Sequence, residues 1–338
     1  MPIKEDWLSQ VEEEILEPDM PVIDPHHHLW DRPDGRYMVE DLQADVATGH
    51  NIVSTVFVEC ASMYRPDGPE HLRPVGETEF VNSVAAKCAQ QNSPTTPRIC
   101  EGIVGHADLT LGVELDEVLD AHIAAAPERF RGVRHSVSWD ASEDVRNSNV
   151  NPPRGLLGDK RFREGVRRLS ERNLSFEAWL YHPQISELTK LALACPEATI
   201  VFDHFGGPLG IGPYAGMRSE IYRKWQKDIS ALCECPNVFA KLGGLNMAIN
   251  GFAWHKRLVP PTSEELAANK HYYLHTIDCF GPERCMFESN FPVDKVSCSY
   301  GVLWNSFKRI VGHLTRKQKA QLFHGTAARV YRLKAAVS

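Results

Sequence analysis

Val22-Ile23-Asp24-Pro25-His26-His27-His28 begins as an apolar run and ends in three consecutive histidines. Read as a β-strand, it sends alternate side chains to opposite faces, so His26 and His28 share a face and can converge on one ion or one substrate atom. Asp24 falls on that face one layer deeper. A histidine-rich loop without a ligand is the competing reading of this segment alone. The surrounding sequence decides between the two.

Seven further runs rich in β-branched and aromatic residues follow, at 54–60, 100–109, 130–137, 174–181, 199–206, 237–245 and 285–292. Segments with helical periodicity separate them, at 77–91, 114–126, 160–172, 184–194, 219–233 and 263–280, and residues 300–311 and 316–322 supply closing helices. Ser263 is the clearest helix start, with Pro260-Pro261 before it and Glu264 and Glu265 in its first turn. Strand and helix alternate throughout, which implies a parallel sheet covered by helices. Eight such units favour closure into a (β/α)8 barrel over an open doubly wound sheet. We therefore expect one barrel domain over residues 1–338, with its core at about 21–333 and an acidic, amphipathic helical arm at 4–16 packed across one end. Pro- and Gly-rich stretches at 65–76, 151–158 and 206–216 follow strands, so they are expected to wall a pocket at the C-terminal face of the barrel.

The composition is that of a globular protein: 338 residues, 43% hydrophobic and 24% charged, with a formal net charge of −7. Scattered basic residues on an acidic chain argue against nucleic acid as a partner. No apolar stretch approaches the roughly 20 residues that cross a bilayer, and the first 17 residues are acidic with no apolar leader. A cytoplasmic protein is expected. Nine cysteines at no repeated spacing form no disulfide framework, and most should be reduced and buried. The glycine-rich run 210–216 has the wrong spacing for a phosphate loop, and no Gly-x-Ser-x-Gly elbow occurs.

Three other strands end in residues able to join His26 and His28. These are Leu180-Tyr181-His182-Pro183, Phe202-Asp203-His204-Phe205-Gly206-Gly207-Pro208, and Met286-Phe287-Glu288-Ser289-Asn290-Phe291-Pro292-Val293-Asp294. Histidine is both a zinc ligand and a base that titrates near neutrality, so a group of histidines at strand mouths suits either role. Glu59, Arg131, Arg134 and Lys241 lie at or near strand ends, where a cation can clamp a substrate carboxylate. Ion pairs within the barrel wall are the bland alternative for them. His106, Asp108 and His135 are open to both readings.

Together with Lys241-Leu242-Gly243-Gly244-Leu245, these motifs resemble the amidohydrolase-2 family, in the same order from about residue 21 to residues 325–333. The resemblance implies a hydrolase of the lactonase kind, acting on sugar acids or on pyrone and muconolactone carboxylates, with nonoxidative decarboxylases as relatives. It makes His26, His28 and His182 ligands of a divalent metal, zinc or manganese, and His204 a catalytic residue. Some of these lactonases work without a metal, so a metal-free route stays open. The eighth strand departs from the family pattern. Asn290 stands where an aspartate usually binds the ion or takes a proton, and an amide cannot serve as that base. Glu288 or Asp294 is then the carboxylate that replaces it.

We expect an enzyme that opens a carboxylated lactone. His204, Asn290, Asp294 and Glu288 are the catalytic candidates, and Arg134, Lys241, Glu59 and Tyr181 the substrate-binding ones. A nonoxidative decarboxylase and a silent metabolite-binding barrel are the alternatives. Four costly polar rings at strand mouths argue against the silent barrel. The partner is a small carboxylated molecule, and self-association into a homo-oligomer is left open.

Overall fold

The computed structural model describes residues 3–33, 35–91, 96–145 and 152–334. Eight parallel strands pair in sequence order: Val22–His27, Ile52–Val58, Arg98–Gly105, Phe130–Arg134, Ser175–Ala178, Ile200–Phe202, Val238–Leu242 and Cys285–Phe287. The first and eighth meet through a parallel bridge between His27 and Phe291. Around that bridge, Asn290 N donates to His26 O at 2.9 Å and His28 N to Phe291 O at 2.8 Å. The sheet thus closes into a (β/α)8 barrel with helices outside it.

Seven of the eight strands are shorter than the apolar runs that announce them, and the second, Ile52–Val58, is as long as its run but starts two residues earlier, so residues at the ends of these runs form the first turns of the βα loops. His182 lies in a 3-10 turn at His182–Gln184, and His204 in one at His204–Gly206. Asn290 falls past the eighth strand. A hairpin of Trp30–Arg32 and Gly35–Tyr37 and a helix at Val39–Val46, none of them expected, follow the first strand. The helix expected at 263–280 is two, Ser263–Ala267 and Lys270–Phe280. Thr262 caps the first, with Glu265 returning the bond.

The arm is not the amphipathic helix that its composition implies. Only Glu5–Leu8 is helical. The rest is held by side chains: Glu13 accepts from Ser263 N at 2.7 Å and from Asn305 at 3.1 Å, and Lys308 donates to the carbonyls of Leu16 and Glu17. Buried polar anchors on the neighbouring helices have replaced an apolar stripe.

Inside the barrel, polarity is layered. At the bottom, Ile23, Val56, Val58, Val104, Val201 and Met286 pack against Tyr331 and Leu333, which plug that end. A charged layer sits above the plug, tied to it where the Tyr331 hydroxyl donates to Glu177 Oε1 at 2.8 Å. The remaining apolar side chains fill the space between strands and helices. All nine cysteines are free and eight are buried, as expected. No helix among the described residues is long and apolar enough to cross a membrane.

Candidate active site

The first strand does not alternate strictly. Its pairing with Ile52–Val58 is irregular between Asp24 and His27, and this changes which residues share a face. Ile23 joins the apolar plug, and His26 faces the barrel interior. Asp24, expected beside His26, instead accepts from Ser289 N at 2.9 Å and from the Tyr300 hydroxyl at 3.0 Å. It fastens the first strand to the eighth and to a covering helix. His27 points the other way, onto Thr55 and Phe57.

His26 is the hub of the charged layer. Its Nδ1 lies 2.7 Å from Glu288 Oε2 and 3.2 Å from Lys241 Nζ, and its Nε2 lies 3.2 Å from Arg134 Nη1. The His204 ring is 4.5 Å away between centroids, and its Nδ1 lies 2.6 Å from Glu288 Oε1. One carboxylate therefore spans two imidazoles. Lys241 in turn donates to Glu177 at 2.7 Å and faces Asp203 at 3.4 Å.

Burial sets the ionisation here. Desolvation pushes the His26 pKa far below the usual range, and Lys241 and His204 push it the same way. His28 is also held neutral, by burial and then by Arg134. Burial opposes the Lys241 charge, but Asp203 and Glu177 outweigh it and hold the ammonium above its ordinary value. The Glu177 carboxyl is pushed up to about 7, by burial against the pull of Lys241, and Asp294 to about 7 by burial.

Above this layer opens a cavity of about 1130 Å³, slightly larger than the usual small-molecule site. His28, Arg134, His204 and Asn290 form its floor, and Glu59 and Tyr181 line it. Proton positions follow from the partners. His28 Nδ1 donates to Val58 O at 2.7 Å, and His204 Nδ1 to the Glu288 carboxylate, so each presents an Nε2 lone pair. Arg134 is fixed by Glu59, its Nε donating to Oε1 at 2.7 Å and its Nη2 to the Glu59 carbonyl.

The turns that carry these groups are strained. His204 and Asn290 have φ of 54° and 55°, which ordinary side chains avoid at a cost of about 1–3 kcal/mol. Gly243 and Gly244 make room for the pair behind them. A Cβ at Gly244 would lie 2.5 Å from His204 Nδ1, and one at Gly243 2.4 Å from Glu288 Cγ. The Lys241–Leu245 motif is the backing of the His204–Glu288 pair.

The expected residues thus separate into three places. His28, His204, Arg134, Asn290, Glu59 and Tyr181 meet the cavity. His26, Glu288, Asp294 and Lys241 lie beneath its floor, and Lys241, wholly buried and paired, is withdrawn from any substrate carboxylate. Asp294 stands behind Asn290, accepting from its amide at 3.4 Å and from Asn246 N at 3.3 Å. His182 is brought to neither place. Its Nδ1 accepts Leu209 N–H at 3.2 Å and its ring packs on Tyr214, because Trp179, Leu180 and Tyr181 carry the chain past the end of the strand before His182 opens its turn.

Of the loops expected to wall the pocket, residues 65–76 contribute Glu70, His71, Arg73 and Pro74. Residues 151–158 contribute Pro152, Pro153 and Leu156, with Asn151 outside the described residues. Residues 206–216 do not line it; Tyr214 instead donates to Asp140 at 2.6 Å. Arg32, at the end of the Trp30–Arg32 hairpin strand and stacked over Trp30 at 4.6 Å, and Arg73, on a loop, line the cavity but carried no signal in the sequence, being arginines outside the barrel strands like many others. Glu177 did carry one that was passed over, an acid at the centre of an apolar strand.

Among the described residues, a metal fits one group. His26, His204 and Glu288, all buried, offer ligand atoms within 4.8 Å of one another. Glu288 Oε2, though close to His26, has no aligned hydrogen-bond partner among the described residues, which leaves an oxygen a cation would satisfy. Two imidazoles and a carboxylate suit zinc or manganese. Arg134 and Lys241, each 3.2 Å from His26, already supply positive charge there, and an added ion must compete with them.

A family model of amidohydrolases matches residues 23–333. The chain belongs to the amidohydrolase family. It is 31% identical over 337 residues to the uncharacterized protein y4mH of Sinorhizobium fredii, covering 93% of this chain and 99% of that one. It is 23% identical over 317 residues to an L-fucono-1,5-lactonase of Burkholderia multivorans, covering 92% and 96% respectively. A crystal structure of a zinc-bound amidohydrolase from Burkholderia multivorans superposes with a TM-score of 0.71 at 22% identity, over 93% of this chain and 99% of that one. At that identity the superposition speaks for the barrel alone.

Proposed function

We propose that this amidohydrolase opens a carboxylated lactone, with His204 handling the proton and Arg134 and Asn290 facing the oxyanion. The His204–Glu288 pair, at 2.6 Å on the floor of the cavity, carries this reading. A carboxylate that accepts from Nδ1 fixes the tautomer with a basic Nε2 toward the substrate and stabilises the imidazolium when it forms.

The steps balance without another reactant. A water gives its proton to His204 Nε2 as its oxygen attacks the lactone carbonyl. The tetrahedral oxyanion accepts from N–H groups of Arg134, which Glu59 holds in place beforehand. Collapse breaks the ring C–O bond, and His204 returns the proton to the departing alkoxide to leave a hydroxy acid. A divalent ion held by His26, His204 and Glu288 would supply Lewis acidity in place of the His204–Glu288 hydrogen bond, so it is an alternative to the proton transfer at His204 and not an addition to it. Arg32 and Arg73 are the lining cations placed to meet the substrate carboxylate. The lactonase among the relatives supports the reaction class.

The test is a panel of carboxylated five- and six-membered lactones, followed by proton release and carbon dioxide detection. Ring opening without carbon dioxide is expected. His204→Asn, which keeps the Nδ1-side donor and tolerates positive φ, should lower kcat by roughly 10²–10⁴ while leaving the fold intact. Carbon dioxide release, or a His204→Asn protein of unchanged kcat, would overturn the proposal.

A further inference from the structure

The cavity has a second polar surface that the proposed chemistry does not use. His106 and His135 lie past the third and fourth strands with ring centroids 5.5 Å apart, and Asp108 lines the same wall. Backbone groups fix opposite tautomers in the two rings. His106 Nδ1 lies 3.0 Å from the Arg134 carbonyl, which only accepts, so this nitrogen carries the proton and Nε2 holds a lone pair. His135 Nδ1 accepts Leu109 N–H at 3.2 Å, so its proton sits on Nε2. Neither Nε2 meets a partner among the described residues. The wall therefore offers one acceptor and one donor side by side.

We infer that His106 and His135 form a subsite for two adjacent hydroxyl groups of the substrate, and that the lactone is a vicinal diol. A hydroxyl both donates and accepts, and so can satisfy either nitrogen. A carboxylate has no proton to give to His106 Nε2, and Asp108 beside it adds repulsion. Burial, with His106 next, holds His135 near a pKa of about 4, so the ring stays neutral around pH 7 and keeps its donor role. Asp108 is held ionised: burial works against its charge, but the hydroxyl and amide of Thr110, at 2.7 and 2.9 Å, prevail. This assignment rests on the lactone reading for its reaction, but not for its binding, which is measurable separately.

Two substitutions isolate the cavity-facing nitrogens. Asparagine mimics the Nδ1 side of histidine, so His106→Asn keeps a donor for the Arg134 carbonyl and His135→Asn keeps an acceptor for Leu109 N–H, while each deletes its Nε2. A hydroxylated six-membered lactone and its dideoxy counterpart are compared by kcat/KM. The matching non-hydrolysable lactams are compared by calorimetric Kd on the full-length protein. The wild type is expected to prefer the diol in both assays, and each variant to reduce that preference by about tenfold, the order of one hydrogen bond, chiefly through KM. Wild-type protein that does not distinguish diol from dideoxy lactam, or variants that weaken both lactams equally, would overturn the subsite. If no lactone is opened, the hydrolase proposal fails by itself, and a diol-selective lactam Kd lost in both variants still supports the subsite. Thermal melts of the two variants guard against a shared folding defect, since the substituted positions contact different backbone groups.

Discussion

The layer beneath the cavity floor and the wall above it are both built from charged and imidazole side chains, but they spend them differently. Below, His26, Glu177, Asp203, Lys241 and Glu288 are wholly buried and face one another, Lys241 against Glu177 and Asp203, and Glu288 against the rings of His26 and His204. Above, His106 and His135 use one nitrogen on the backbone and leave the other to the cavity. The buried layer fixes geometry, because moving any member leaves a charge unpaired in low dielectric. The wall leaves interactions to be completed by a ligand. On the proposed reading, the same residue types position the chemistry in one region and select its substrate in the other.

The largest effect that would break this contrast is expected at Lys241. Lys241→Met leaves Glu177 and Asp203 buried without their cation, and truncating one side of a buried pair costs about 3–5 kcal/mol. Glu177 is already pushed up to about 7, so it can relieve part of that cost by taking a proton. Urea unfolding should therefore show a loss near the lower bound, and Lys241→Met with Glu177→Gln should lose less than Lys241→Met alone. A single variant as stable as the wild type would mean that the layer is not a mutually dependent unit.

How far the sequence made these two regions legible follows from their placement. His26, His28, His204 and Glu288 ride on strand ends, where order along the chain and alternation place them near one another before any coordinates exist. The irregularity at Asp24–His27 is what alternation cannot foresee, and it moved Asp24 out of the site. His182 was misleading for a related reason: four residues past Ala178, it sits beyond the ladder that would have aimed it. Arg32 and Arg73 sit in an inserted hairpin and a loop whose paths are set by tertiary packing, so nothing local marked them. The arm failed as a helix because its contacts are specific polar ones with residues some 250–290 positions away, which periodicity does not register.

A smaller effect, behind the wall, concerns Glu77, which is buried under the loop whose Cys60 and Ala61 line the cavity. Its Oε1 accepts from Cys60 N at 3.1 Å and Ser62 N at 2.8 Å, holding a loop in which Ala61 and Met63 both have positive φ. Its Oε2 is buried with no partner among the described residues. Burial first, and the charge of Glu59 next, push the carboxyl up from 4.5 to about 8. A folded-state pKa above the unfolded one means that the contribution to stability is full below about pH 4.5 and is lost as pH rises through about 8. Urea midpoints should fall between pH 6 and pH 9, and Glu77→Gln, which keeps the accepting oxygen and cannot ionise, should flatten that fall. Parallel pH curves for the two proteins would mean that the carboxyl is not protonated in the folded state.

The smallest effect is expected at His182, and its smallness makes it the sharpest comparison with the floor histidines. Burial, with Lys224 next, holds this ring at a pKa of about 4, so it is neutral at working pH like His26 and His28. Neutrality alone therefore does not distinguish a ligand from a structural ring; the partner does. His182 spends Nδ1 on Leu209 N–H and packs on Tyr214, at the side of the loop that fails to reach the cavity. His182→Asn preserves an acceptor close to the Nδ1 position, so stability should fall by no more than about 1 kcal/mol, the worth of an ordinary hydrogen bond. Metal content and kcat should stay within about twofold of the wild type, against the roughly 10²-fold or larger loss expected at His204. Loss of a bound ion in His182→Asn would show that this ring reaches the His26–His204–Glu288 group in the working enzyme, and the division between floor, wall and outer loop would have to be redrawn around it.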